Sequence, residues 1–277
     1  MTAETYSSSP LSVGMVVFPR LTQLDLAGPY EVFARMPRTE VHLIADSLEP
    51  VRSEHGLVIV PTADFDNAPP LDILFVPGGP GQQLVMEDER FVSFLRERSR
   101  EARYVTAVCT GSLLLGAAGL LRGYRATTHW MFLELLAPLG AEPASERVVV
   151  DRNRITGGGV TAGIDFGLVI AAELLGEETA KKIQLSIEYD PAPPFDGGSP
   201  KSAEATLVED VSELMRELFE NRRRQIERVT PRLYEAPSRP DLPSNHPKQR
   251  NALLDGTKLG KASPDTARIR PHFLLTS

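Results

Sequence analysis

The stretch A-R-Y-V-T-A-V-C-T-G-S-L-L-L-G, residues 102–116, contains the pattern that decides the fold of this chain. Residues Tyr104–Val108 are rich in β-branched side chains, as in a buried strand, and a helix is predicted to begin near Gly111. Cys109 therefore stands in a sharp turn between a strand and a helix. Such a turn projects its side chain above the carboxyl edge of an open α/β sheet, and small residues such as Gly111 and Ser112 permit it.

Strand-like and helix-like segments alternate on both sides of this turn, through residues 11–187. The predicted strands are Val13–Phe18, Val41–Ala45, Leu57–Val60, Ile73–Val76 and Tyr104–Val108, followed by a hairpin around Asn153. The predicted helices include Asp25–Arg35, Glu89–Arg103, Gly163–Leu175 and Glu177–Ile187. This order predicts an α/β fold in which helices sandwich a mostly parallel sheet.

The chain changes character after residue 187. Residues 188–200 form a loop rich in Pro and Gly, and an amphipathic helix follows, which we expect to end in the basic run at residues 221–224. Cations are favoured at a helix C-terminus, so that run is interpreted as a terminal cap. Residues 231–277 hold seven of the 23 prolines and eight Lys/Arg against four Asp/Glu. We therefore expect one domain over residues 1–230 and an extended or disordered tail over 231–277.

Charge and composition restrict the class of function. The net charge of −7 disfavours nucleic acid as a partner, and the absence of an 18-residue apolar run disfavours a membrane span. The N-terminal residues lack the basic and apolar regions of a signal peptide, so a cytoplasmic location is expected. The sequence has a single cysteine, which excludes an intramolecular disulfide, and its five histidines stand at no metal-ligand spacing. Metal catalysis is not expected.

Cys109 is the candidate nucleophile. The unpaired N–H groups and the positive end of the following helix are expected to lower the pKa of its thiol and to favour the thiolate. The alternative is a buried, unreactive cysteine. The string F-V-P-G-G-P-G, residues 75–81, follows another strand, so it can bring a backbone N–H close to the thiol or form a plain turn.

Two other polar residues could take part in the chemistry. Asp25 follows the first strand and heads a helix, so it is either an N-cap or a proton carrier facing Cys109, and the spacing leaves both open. His129 is interpreted as a structural residue at a helix start. The glycines at 157–159 lack the spacing of a dinucleotide loop and are interpreted as a close backbone approach to the site.

At these residues the chain resembles the ThiJ/PfpI superfamily and, within it, the isocyanide hydratases. The resembling strings lie at residues 18–29, 69–79, 102–130, 156–166 and 188–200. The resemblance implies a flavodoxin-like fold similar to that of class I glutamine amidotransferases, and a homodimer without a cofactor. It also implies Cys109 as the nucleophile, Asp25 as its acidic partner and Thr110 as a hydrogen-bonding neighbour, with backbone N–H groups of Gly79 and Thr110 as donors.

The expected activity is hydration of an isocyanide, a small molecule, to an N-substituted formamide. Thr110 stands where peptidase-like members carry His, which disfavours a Cys-His protease, and Asp25 stands where many members carry Glu. The alternatives are another Cys-dependent hydrolase or glyoxalase-like activity, and a non-catalytic redox or ligand sensor. A sensor fused to a DNA-binding module would need a helix-turn-helix pattern, and residues 231–277 have none.

Overall fold

The computed structural model describes residues 10–235. The strands are β1 (Leu11–Val16), β2 (Thr39–Ala45), β3 (Val51–Arg52), β4 (Val58–Ile59), β5 (Ala63–Asp64), β6 (Ile73–Val76), β7 (Tyr104–Val108), β8 (Arg125–Ala126), β9 (Glu142–Pro143), β10 (Val148–Asp151) and β11 (Arg154–Gly157). The helices are α1 (Gln23–Phe33), α2 (Gln82–Val85), α3 (Glu89–Arg98), α4 (Gly111–Ala117), α5 (Ala162–Leu175), α6 (Glu177–Ser186), α7 (Ala205–Leu214) and α8 (Arg216–Glu235). A 3₁₀ segment spans Trp130–Leu139. Within the described residues, no helix is both long and apolar enough to cross a membrane.

A seven-stranded sheet forms the centre of the fold. Its strand order is β10-β11-β7-β6-β1-β2-β5, and every neighbouring pair is parallel except the β10–β11 hairpin. The four residues of β6, Ile73–Val76, are completely buried. Strands covered on both faces are continuously apolar rather than alternating, which is the pattern of this segment. The prediction of an α/β fold with a mostly parallel sheet is confirmed.

Two groups of helices flank the sheet. Helices α1 and α5 pack on each other, and the rings of Phe33 and Phe166 on these helices both contact Phe75 of β6. Helices α4 and α8 pack together with the 3₁₀ segment, where Phe132 stacks on Phe219 of α8. Because α4 directly follows β7, the second group covers the turn that contains Cys109.

The C-terminal helices differ from the sequence prediction. The predicted amphipathic helix is two helices, because the chain turns at Met215 so that Leu218 and Phe219 pack on the core while Leu214 stays exposed. The basic run at 221–224 therefore lies in the interior of α8, and its interpretation as a C-terminal cap is wrong. Helix α8 also continues past residue 230 to Glu235, since Leu233 still packs against the core. The rest of the predicted tail lies outside the described residues.

Candidate functional site

Four adjacent strands end at one edge of the sheet and bring the predicted site residues together. Because β11, β7, β6 and β1 are parallel, their carboxyl ends meet there. Cys109 follows β7, the Gly78–Gly79 pair follows β6, and β11 ends at Gly157. Helix α1, which follows β1, carries Asp25. Residues that lie far apart in the sequence thus share one edge.

Cys109 has the backbone of a strained turn. Its φ is 52°, in the left-handed region that non-glycine residues seldom adopt. Hydrogen bonds hold this conformation, since the Cys109 N–H donates to the carbonyls of Gly157 at 3.0 Å and Gly158 at 2.9 Å. The Thr128 hydroxyl donates to the Cys109 carbonyl at 2.7 Å. The turn is therefore fixed from two directions, and Cys109 as a whole is 5% exposed.

Two glycines allow the neighbouring segments to approach this turn. A Cβ at Gly111 would lie 2.2 Å from the Val76 carbonyl oxygen, so only glycine lets α4 begin against the end of β6. A Cβ at Gly78 would lie 2.5 Å from the Thr110 nitrogen and 2.8 Å from the Cys109 Cβ. The glycine-rich turn therefore rests directly on the nucleophile turn, which is one of the two alternatives that the sequence left open.

Asp25 lies beside Cys109 and does not cap its helix. It is the third residue of α1, whose N-cap is Thr22, and its side chain is completely buried. Its Oδ2 accepts a hydrogen bond from the Gly78 N–H at 3.1 Å. Its Oδ1 is buried without a hydrogen-bond partner of ordinary geometry among residues 10–235. The N-cap interpretation is wrong, because the carboxyl faces the sheet edge rather than the helix's own N–H groups.

Thr110 connects the glycine turn to the thiol. Its backbone N–H lies near the Cys109 sulfur and lowers the pKa of the thiol. Its Oγ1 accepts from the Gly79 N–H at 3.0 Å and lies 3.3 Å from the Gly79 carbonyl oxygen. The Gly79 N–H, which the resemblance offered as a donor to substrate, is thus engaged by Thr110 in this structure. Thr110 is 1% exposed, so these contacts are shielded from water.

Burial raises the pKa of both acids at the site. Desolvation raises the pKa of Asp25 from 3.8 to about 7, against the lowering effect of hydrogen bonds from Cys109 and Gly78. Desolvation, with the nearby Asp25 charge, also raises the pKa of the Cys109 thiol, while the Thr110 N–H and Arg222 lower it. The prediction of a lowered thiol pKa is wrong in direction, because enclosure by the surrounding elements outweighs the helix N-terminus.

Two like charges in contact inside a protein disfavour each other, so the pair holds at least one proton through neutral pH. That proton can move between the Cys109 sulfur and the Asp25 carboxyl. The site can therefore form a thiolate beside a protonated acid without taking a proton from solvent.

Arg222 is a residue of this site that the sequence interpretation missed. It is 2% exposed, and its charge lowers the pKa of Cys109. A signal was present, because Arg222 shares a helical face with Ile226 and Val229, which are both buried. A charged residue on the apolar face of an amphipathic helix indicates a buried role rather than a capping role.

His129 takes the structural role that was expected. Its Nδ1 accepts a hydrogen bond from the Met131 N–H at 3.3 Å, at the start of the 3₁₀ segment. Burial lowers the pKa of His129 to about 4, so the ring is neutral at physiological pH. Two surface grooves, of about 600 and 440 Å³, lie nearby and share Met131, but Cys109 lines neither of them. The predicted site residues lie at the enclosed sheet edge instead.

Comparison with known proteins gives the family. Residues 11–173 match the DJ-1/PfpI family. The chain is 54% identical over 200 residues to an isonitrile hydratase of Pseudomonas putida, a match that covers 72% of this chain and 88% of that protein. It is 34% identical over 187 residues to the HTH-type transcriptional regulator GbdR of Pseudomonas aeruginosa, where it spans 65% of this chain and half of the regulator.

A solved structure agrees with this assignment. The fold superposes with a TM-score of 0.77 on the crystal structure of a ThiJ/PfpI family protein from Pseudomonas syringae. The two are 45% identical, and the match covers 79% of this chain and 91% of the other. The family match extends over β1 to α5 and therefore contains Cys109, Asp25 and the glycine turn. The chain belongs to the DJ-1/PfpI family.

Proposed function

We propose that this protein hydrates isocyanides, R–N≡C, to N-substituted formamides, with Cys109 as the nucleophile. The observation that carries the proposal is the 54% identity to an isonitrile hydratase over 88% of that enzyme's length. The buried pair of Cys109 and Asp25 supplies what the reaction requires, namely a nucleophile and a proton carrier that act beside each other.

The first step activates the thiol. Asp25 lies against Cys109 with a pKa of about 7, high for a carboxyl group, so it is a strong enough base to accept the thiol proton. The product is a thiolate next to a protonated Asp25. The Thr110 N–H stabilises the negative sulfur, and the Gly78 N–H orients the carboxyl. Net charge at the pair does not change during this transfer.

The second step joins the thiolate to substrate. The thiolate attacks the terminal carbon of the isocyanide, and a carbon–sulfur bond forms while one bond of the carbon–nitrogen unit opens. That carbon then takes the proton held by Asp25, which gives a thioimidate, R–N=CH–S–Cys109. Asp25 returns to the carboxylate. We assign this transfer to Oδ1, because Oδ2 already accepts a hydrogen bond from the Gly78 N–H.

The third step hydrolyses the thioimidate. Asp25 removes one proton from water as the oxygen adds to the thioimidate carbon, and the proton passes to the nitrogen. The tetrahedral adduct, R–NH–CH(OH)–S–Cys109, collapses to R–NH–CHO. The carbon–sulfur bond breaks, and the hydroxyl proton returns to the Cys109–Asp25 pair. One water is consumed, and the enzyme regains its starting state.

The experiment is a panel of alkyl and aryl isocyanides with chromatographic detection of the formamides. The intact protein should produce one formamide per isocyanide consumed, and Cys109→Ala should produce none above the uncatalysed background. Cys109→Ser tests the sulfur itself, because a serine hydroxyl in that place is a much weaker nucleophile at neutral pH. Absence of formamide with the intact protein would refute the proposed activity.

The alternatives are tested in the same series. Methylglyoxal and simple amides replace the isocyanide to detect glyoxalase-like or amidase activity on the same cysteine. Redox sensing requires a thiol that ionises and oxidises readily, and the raised pKa and burial of Cys109 count against it. The match to half of a transcriptional regulator keeps ligand binding as a competing function, which a catalytically competent Cys109 would argue against.

We also propose that the protein is a cytoplasmic homodimer. Helix α7 contains no buried residue, and its Leu207 and Leu214 are 45% and 84% exposed. Burial of such residues between two copies would remove apolar surface from water. Sedimentation at micromolar concentration should give twice the chain mass. A reducing compartment suits a site that depends on one unpaired cysteine.

A further inference from the structure

Arg222 is a buried cation with neutral partners. Its Nε donates to the Gln82 Oε1 at 2.8 Å, and its Nη2 donates to the Gly79 carbonyl at 3.2 Å. Its guanidinium carbon lies 4.0 Å from the centroid of the Phe132 ring. Within residues 10–235 it forms no ion pair with a carboxylate, and its hydrogen bonds use Nε and Nη2 only. A buried arginine is normally paired with an acid, so this arrangement needs an explanation.

The guanidinium keeps its charge despite this burial. Desolvation lowers the pKa of Arg222 to about 10, which is still well above neutral pH. Burying an unpaired charge is unfavourable, and an apolar residue of similar size would avoid that cost. The charge lies close enough to the sheet edge to lower the pKa of Cys109.

Two hydrogen bonds lead from Arg222 through Gly79 to Thr110, the residue next to the thiol. Arg222 holds the carbonyl of Gly79, and the N–H of Gly79 donates to the Thr110 hydroxyl at 3.0 Å. The Thr110 N–H lies near the Cys109 sulfur and lowers the pKa of the thiol. Gly79 has a φ of 133°, so its peptide groups need fixed partners to hold one orientation. Arg222 provides the partner on the carbonyl side from helix α8.

The charges around the thiol show what Arg222 opposes. Asp25 on α1 is the acid in contact with Cys109, and Glu54 in the β3–β4 connection also acts on Asp25 and on Arg222. His129 is neutral, since burial and the Arg222 charge both lower its pKa. With one proton shared between them, Cys109 and Asp25 carry one negative charge, and Arg222 is the cation whose charge lowers the pKa of Cys109.

We propose that Arg222 is a positioning residue for isocyanide hydration: it fixes the Gly79 peptide beside Thr110 and supplies the positive charge that stabilises the anionic Cys109–Asp25 pair. The expected effect of Arg222 on kcat rests on the proposed function. The expected effect of its charge on the ionisation of the Cys109 thiol does not depend on that function. Arg222 does not touch the reacting atoms. It acts through its hydrogen bond to Gly79, through Thr110, and through the electrostatic field of its charge at the Cys109 sulfur.

The test compares Arg222→Met, Arg222→Lys and Arg223→Gln. Methionine keeps most of the volume without the charge, lysine keeps the charge without the forked hydrogen bonds, and Arg223 is a surface neighbour on the same helix that pairs with Glu220 and Glu227. Two readouts are measured: the pH dependence of Cys109 alkylation by iodoacetamide, and kcat and KM for an isocyanide.

We expect Arg222→Met to shift the alkylation profile upward by about one pH unit and to lower kcat by roughly 10- to 100-fold with little change in KM. Arg222→Lys should retain the wild-type alkylation profile and recover part of kcat. Arg223→Gln should match the wild type in both. A buried charge replaced by an apolar side chain often leaves stability unchanged or raises it, so the methionine variant should fold. Circular dichroism verifies this, and Arg222→Gln replaces it if it does not fold.

A folded neutral variant whose alkylation profile matches that of the wild type would overturn the proposal. An equal loss of kcat in the methionine and lysine variants, with no shift of either alkylation profile, would also overturn it. The second pattern would mean that Arg222 acts by packing alone. Alkylation does not depend on turnover, so the result is interpretable even if the protein hydrates no isocyanide. Failure of the proposed function and failure of this inference are therefore separate results.

Discussion

Asp25→Asn should make the protein more stable at alkaline pH while it destroys the site. The carboxyl of Asp25 is completely buried, and desolvation raises its pKa from 3.8 to about 7. A shift of about three pH units corresponds to roughly 4 kcal/mol at about 1.4 kcal/mol per unit. That free energy is the difference between burying the protonated acid and burying the carboxylate. The asparagine variant never buries a charge at this position.

The direction of the effect follows from proton binding. The folded protein binds the Asp25 proton more tightly than the unfolded chain, so this contribution to stability is complete below pH 3.8 and is lost as the pH rises through about 7. Between pH 5 and pH 9 the free energy of unfolding of the wild type should fall by about 2–3 kcal/mol through this group. The asparagine variant should lack that fall.

Urea denaturation at each pH from 5 to 9 measures the effect. The quantity of interest is the difference in the free energy of unfolding between Asp25→Asn and the wild type, which should grow with pH and level off above pH 8. Any constant cost of the asparagine amide cancels from the pH dependence. Asp210→Asn makes the same chemical change at an exposed position of α7 and serves as the control. A difference that stays flat across this range would refute the assignment of Asp25 as a buried, proton-holding carboxyl.

The remaining predictions concern turnover, packing and the end of the chain. Turnover of Asp25→Asn should fall by roughly 10²- to 10⁴-fold, because the amide cannot carry the proton, and near-wild-type kcat would leave Asp25 without a catalytic role. Gly111→Ala should lower the free energy of unfolding in urea by about 1–3 kcal/mol, since its Cβ would meet the Val76 carbonyl at 2.2 Å, whereas the Cβ of Gly198→Ala meets nothing within 4 Å and this variant serves as the control. A chain ending at Glu235 should be more stable than one ending at Thr230 by on the order of 1 kcal/mol, because Leu233 packs on the core, and equal melting temperatures would contradict this.

Local pattern was sufficient for the elements that form the site. The limits of Ile73–Val76 and Tyr104–Val108 were predicted as the structure has them, and α4 begins at Gly111 as expected. A continuous β-branched run and a following small residue specify a buried strand and a tight turn without reference to the rest of the chain. The turn that contains Cys109 could therefore be predicted from the sequence.

Contacts between segments that lie far apart in the chain could not be predicted from local sequence pattern. Asp25 stands at a position where an N-cap and an active-site acid share the same local pattern, and its hydrogen bond to Gly78 depends on the β1–β6 pairing. The end of the predicted amphipathic helix was also misplaced, because the turn at Met215 depends on which residues meet the core.

Local sequence specifies the strands β6 and β7, the nucleophile turn and the glycine turn, because these depend on residues that are neighbours in the chain. The tertiary structure decided the electrostatics. Arg222 reaches the site from α8, and the thiol and carboxyl are enclosed by elements from the whole fold. A helix N-terminus favours a thiolate locally, but desolvation sums over every atom that displaces water, so the pKa of Cys109 rises instead. That sum exists only after the chain has folded.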